Sequence, residues 1–131
     1  MKDNNPLDAF GGFLVSNLLD HSIHILKTRL YEELNENIEM PKEYRDLAEK
    51  IKLFSEAQKE TIEKLLSNVV IQQIMWFLLS LELEKVSGNN RIKVMVDGEN
   101  VVELSDDLTG ELFDMDGWVK KFSEYKDQMN V

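Results

Sequence analysis

The run VVIQQIMWFLLSL, residues 69–81, limits the folds open to this chain more than any other stretch. It lies inside a segment with strong helix punctuation. Ser55 followed by Gln58 forms a capping box, with Phe54 placed as its hydrophobic staple, and Gly88 suits the residue just past a helix end. A helix over about 56–86 is therefore predicted. Its first half is amphipathic, with Ile62, Leu65, Leu66 and Val69 as the apolar positions, and its second half is apolar on nearly every side. Such a helix lies at the centre of its domain or against another chain, so homodimerisation through residues 69–83 is expected. The run is shorter than the roughly 20 residues a bilayer requires, and Gln72 and Gln73 interrupt it, so no membrane span is expected.

Helical periodicity also governs the N-terminal part. Asn5 is a capping residue, Pro6 suits the first helical position, and Asp8 sits where the helix dipole favours a carboxylate. Apolar residues then recur at Leu7, Phe10, Leu14, Leu18, Ile23, Leu26, Leu30 and Leu34. Gly11-Gly12 marks a point of bending or close approach. Met40 precedes Pro41 and is pushed out of the helical region, so this helix should end near it. Pro41 can open a short helix with Leu47, Ile51 and Phe54 on one stripe.

After Gly88 the period changes. Ile92, Val94 and Val96 alternate with Arg91, Lys93 and Met95, Asp97-Gly98 signals a hairpin turn, and NVVEL reads as the return strand. Trp118, Val119, Phe122 and Tyr125 then give a last short helix that packs back. The expected fold class is α+β, predominantly α: two long helices and one short helix, a β-hairpin and a short C-terminal helix. The whole chain, 1–131, reads as one domain, helical over 6–86, with the hairpin at 91–104 and an acidic connection and closing helix at 105–128.

Net charge is −10, which disfavours nucleic acid and anionic lipid and favours basic partners. The chain has no cysteine, so disulfides and thiolate metal sites are excluded, in keeping with a cytoplasmic protein. The N-terminal MKDNNPLDAF carries no long apolar run and does not read as a signal peptide. Charge is concentrated late: eight acids and no Lys or Arg fall between Asp97 and Asp116. Five of them, Asp106, Asp107, Glu111, Asp114 and Asp116, lie in SDDLTGELFDMDGW.

That stretch fails the calcium-loop template. With Gly110 at the sixth position, Ser105 falls first and Asp116 twelfth, where a carboxylate and a bidentate Glu are required. No Ser, Cys or His nucleophile accompanies the acids at a recognisable spacing. The favoured reading is that Leu108, Leu112, Phe113 and Trp118 hold the segment to the core. The five acids face water, as a solvated face or as a surface that recognises a partner, the second being the one carried into the functional expectation, and Asp114 or Asp116 can cap the last helix. His21 and His24, three apart on one helical face, are the candidate metal ligands, although the Glu-x-x-His motifs of di-iron bundles are missing. No cofactor is expected.

Two segments, FSEAQKETIEKLLSNVVIQQIMWFLLSLE and SDDLTGELFDMDGWVKKFSEY, together about 50 residues, resemble a group of small bacterial proteins, some of immunity type that neutralise toxins. The resemblance implies a bacterial, cytoplasmic protein with a binding role and supplies no catalytic residues. The functional expectation is a non-catalytic binding protein, an immunity-type inhibitor of a basic partner protein. The alternatives are a metal-dependent enzyme built around His21 and His24, and a self-associating structural subunit.

Overall fold

The computed structural model describes residues 5–32, 39–89 and 91–128. Its elements in chain order are α1 (Pro6–Leu14), a π-helical stretch (Val15–Asp20), α2 (His21–Tyr31), α3 (Lys42–Ile51), α4 (Glu56–Val86), the two-residue strands β1 (Met95–Val96) and β2 (Glu99–Asn100), a 3₁₀ turn (Val101–Leu104), α5 (Leu108–Phe113), α6 (Trp118–Phe122) and a last 3₁₀ turn (Lys126–Gln128). The fold is α+β and predominantly α, with one small antiparallel hairpin and a C-terminal helix.

The first helix begins as its sequence dictates. The Asn5 side chain accepts the Leu7 N–H at 2.8 Å, and Pro6 follows the cap. Backbone at Leu14, Val15, Asp20 and His21 stays right-handed, so α1, the π stretch and α2 run as one rod. The core face of that rod departs from the expected spacing. Leu7, Phe10 and Leu14 are buried, but Leu18 is exposed and Leu19 takes its place in the core. The π turn closes i→i+5 bonds and so advances the buried face by one residue. The rod also stops at Tyr31, with Glu32 already extended, well before Met40. The rest of the expected extension, including Leu34, lies outside the described residues.

α4 keeps its predicted bounds. Ser55 Oγ accepts the Gln58 N–H at 3.1 Å, and Gln58 Oε1 accepts the Ser55 N–H at 2.8 Å, closing the capping box. Only one side of α4 reaches the core, through Ile71, Ile74, Leu78 and Leu81. Lys27 of α2 ties the two long helices together by an ion pair with Glu63 at 2.8 Å. α3 buries none of its residues; Tyr44 and Leu47 remain exposed.

The hairpin is much shorter than the expected 91–104. Met95 pairs with Asn100 and Val96 with Glu99 across the Asp97-Gly98 turn, both of whose residues take positive φ. Ile92 stays exposed, and Val101–Leu104 is a 3₁₀ turn in place of a strand. The cause is Asn100, whose Oδ1 accepts from Val102 N at 3.2 Å and from Val94 N at 3.4 Å and so bends the chain. Consecutive Val101 and Val102 are then both buried, which the alternation of a strand forbids.

The C-terminal segment closes the core. Trp118 is fully buried and rests on Gly11, where an added Cβ would lie 2.2 Å from the indole Cδ2. Phe10 meets the same ring edge-on, with centroids 5.9 Å apart. Gly11 is thus required for close approach, whereas a Cβ on Gly12 would sit 3.8 Å from Phe122, an ordinary contact.

These neighbouring glycines should respond in opposite directions. Gly11→Ala is expected to lower stability by about 1–3 kcal/mol through overpacking, despite alanine's better helix propensity. Gly12→Ala should be neutral or stabilise by up to about 1 kcal/mol. Urea midpoints of the two variants check this; equal shifts would show that Trp118 does not rest on Gly11.

Candidate functional site

Residues 97–116 carry eight acids and no Lys or Arg on short elements only, so their backbone groups need partners from elsewhere. The helices provide them. Glu82 of α4 accepts hydrogen bonds from Leu108 N and, at 3.3 Å, from Thr109 N, capping the start of α5 from outside. Lys85, one turn on, donates to the Val102 carbonyl at 3.3 Å and pairs with Glu103 at 3.8 Å. Asp8 of α1 accepts from Trp118 Nε1 at 3.2 Å and from Lys121 Nζ at 3.1 Å. Asp20, buried at the end of the π stretch, accepts from Ser123 Oγ at 2.6 Å and Glu124 N at 2.8 Å.

Local acids add a second set of bonds. Asp107 is the N-cap of α5: its Oδ1 accepts from Gly110 N at 2.9 Å and from the Thr109 hydroxyl at 2.8 Å. These two donors hold the Asp107 carboxyl below the usual carboxylate range, against a smaller effect of partial burial. Glu111 is half-buried and accepts from Ser105 Oγ at 3.2 Å; Ser105 Oγ in turn accepts from Asp107 N. The buried Ser105 hydroxyl is therefore consumed by the turn.

The remaining acids are different. Asp97, Glu99, Asp106, Asp114 and Asp116 are exposed, and none of them is in an ion pair among the described residues. Neither Asp114 nor Asp116 caps α6; Gly117 occupies that position and no side chain bonds there. The space is taken because the chain turns at Gly117 through its N–H to the Asp114 carbonyl at 2.7 Å. Leu108, Leu112 and Trp118 are fully buried, and Phe113 packs against the same core.

His21 and His24 are both exposed. His24 lines an open groove of about 710 Å³ between α2 and α3, together with Ile25, Arg29, Tyr44, Leu47 and Ile51; His21 does not line it. The Arg29 guanidinium lies 4.7 Å from the Tyr44 ring centroid across the groove. Among the described residues no three His, Asp or Glu side chains are grouped as a metal site. The α2–α4 pair Lys27–Glu63 is a tie between helices. Partial burial opposes the Glu63 charge, and the Lys27 ammonium and Tyr31 hydroxyl outweigh it, so the carboxyl sits below its usual range.

Sequence reasoning did not single out Asp8, Asp20 or Glu82 as anchors. Asp8 stood out only as a first-turn carboxylate of α1, and Glu82 only as a carboxylate followed three residues later by Lys85 after an uncharged run from Leu65 to Leu81. No family model, curated protein or solved structure matches the chain.

Two substitutions probe the anchors. Asp20→Ala should cost about 1–3 kcal/mol, because Ser123 and the Glu124 N–H lose their acceptor, and amide exchange at Glu124 should speed up. Exchange unchanged there would remove Asp20 from this role.

Asp107→Ala should cost about 1 kcal/mol at neutral pH, and Asp107→Asn only a few tenths, since Asn also caps. The folded carboxyl titrates below its unfolded value of about 3.9, so the charge-dependent part of the cap's contribution is complete above that pH and is lost as pH falls through the folded value. Urea midpoints of wild type and Asp107→Ala should therefore converge in acid. A constant gap from neutral to acid pH would contradict the assignment.

Proposed function

We propose that this protein is a non-catalytic binding protein whose acidic 97–116 segment engages a basic partner protein, as an immunity-type inhibitor in the cytoplasm of a bacterium. One observation carries the reading. Exposed acids in no ion pair among the described residues stand on a segment tied to α4 by Glu82 at Leu108 N and Thr109 N and by Lys85 at the Val102 carbonyl, and Asp8 and Asp20 fasten the chain just beyond it at Trp118, Ser123 and Glu124. Charge on a mobile tail loses much of its binding free energy to ordering, whereas charge on a pre-ordered segment does not. Unpaired carboxylates of one sign also raise the encounter rate with a basic surface, in a way that salt suppresses.

Of the five acids in SDDLTGELFDMDGW, the reading assigns direct recognition to Asp106, Asp114 and Asp116. Asp107 and Glu111 can contribute charge, but they also shape the turn.

The test separates recognition from folding. Changing Asp106, Asp114 and Asp116 together to Asn should shift stability by roughly half a kcal/mol or less, since each is exposed and unpaired. Stopped-flow association with the basic protein retained by the wild type from its native host should slow, and its dependence on salt should flatten. An unchanged rate and salt dependence would place recognition on another surface.

A further inference from the structure

The outer side of α4 is the least explained surface of the molecule. Leu65, Leu66, Val69, Trp76, Phe77, Leu83 and Val86 are each between 40% and 82% exposed. Leu65, Val69, Trp76 and Leu83 follow one another at steps of four, seven and seven, the spacing of a single seam along a helix. This seam is opposite the core face of Ile71, Ile74, Leu78 and Leu81. No charged residue falls between Leu65 and Leu81.

We propose that this face is the interface of a homodimer in which two α4 helices pack antiparallel, with Trp76 near the two-fold axis and Val69 of one copy facing Leu83 of the other. Three observations select a second copy as the occupant. The face is uncharged on a protein of net charge −10, so it complements an equally uncharged surface, and its own duplicate is one. A single seam along a straight helix is self-complementary under a two-fold axis, the commonest symmetry of oligomers. The seven partly exposed side chains together offer several hundred Å², on the order of the roughly 800 Å² per partner in a standard interface.

Electrostatics selects the antiparallel arrangement. The acidic segment is fastened to the C-terminal end of α4 through Glu82 and Lys85. A parallel pair would bring both acidic segments together. An antiparallel pair with Trp76 on the axis sets the two copies' Glu82 and Lys85 anchors roughly 18–27 Å apart along it at 1.5 Å per residue, about two to three times the Debye length of about 8 Å in physiological salt.

By length and composition α4 also passes as a candidate membrane span, its most apolar 18 residues having a mean hydropathy of 1.4. Its opposite face is committed to the core, and Glu82 and Lys85 hold the C-terminal segment, so insertion would dismantle the fold. The lipid alternative is therefore an outcome of the test.

Sedimentation equilibrium of the wild type should give twice the 15.3 kDa chain mass at micromolar concentration. Trp76→Glu, a change at an exposed position, should give the single-chain mass with the same circular dichroism. The chain has no cysteine, so pairs can be placed cleanly. Under mild oxidation, a mixture of Val69→Cys and Leu83→Cys should cross-link faster than either variant alone. A wild type that stays monomeric at high-micromolar concentration, or a Trp76→Glu protein that stays dimeric, overturns the proposal. Faster self-linking of Val69→Cys overturns the antiparallel geometry. Flotation of the wild type, but not Trp76→Glu, with neutral phosphatidylcholine vesicles assigns the face to a lipid surface. None of these measurements involves the basic partner, so their outcome is independent of the recognition reading.

Discussion

The closing contact of the fold is one turn of α1 wrapped around Trp118. Gly11 receives the face of the indole, Phe10 its edge, and Asp8 its N–H. Large aromatic side chains cost about 3–5 kcal/mol when truncated to alanine in a core, a substantial part of a total stability of about 5–15 kcal/mol. The rest of the C-terminal half depends on this contact. α5 and α6 are six and five residues long, too short to hold helical structure alone. They persist because Trp118, Leu108 and Leu112 commit them to the core.

Around that apolar anchor, carboxylates divide into two populations. Asp8, Asp20 and Glu82 point from the long helices into the C-terminal segment and take up its backbone and side-chain donors. Asp106, Asp114 and Asp116 point to solvent. The first group converts an irregular stretch into a fixed one, and the second then displays charge from a fixed base. The proposed recognition by steering and pre-ordering rests on this division.

α4 serves both halves of the molecule. Its inner face joins α2 and the π stretch, its last turns hold the acidic segment, and its outer seam stays apolar and uncovered within one chain. In the proposed homodimer this seam brings together surfaces with no charged residue between Leu65 and Leu81, on a protein of net charge −10.

The sequence by itself determined the local features. The Asn5 cap, the Ser55–Gln58 capping box, the bounds of α4 and the Asp97-Gly98 turn depend on residues within a few positions of one another, and such interactions can be read from spacing. It also determined the acid-rich segment and the apolar character of residues 69–81, which are matters of composition. Tertiary structure decided the rest. Leu19 replaced Leu18 in the core because a π turn shifted the buried face, and NVVEL curled into a 3₁₀ turn so that both Val101 and Val102 could be buried. Which acids anchor and which remain free depends on partners far away in the chain: Asp8 meets Trp118 across 110 residues, and Asp20 meets Ser123 across 103. Spacing along the chain carries no information about such pairs, because a carboxylate's role is set by the donors that packing brings to it.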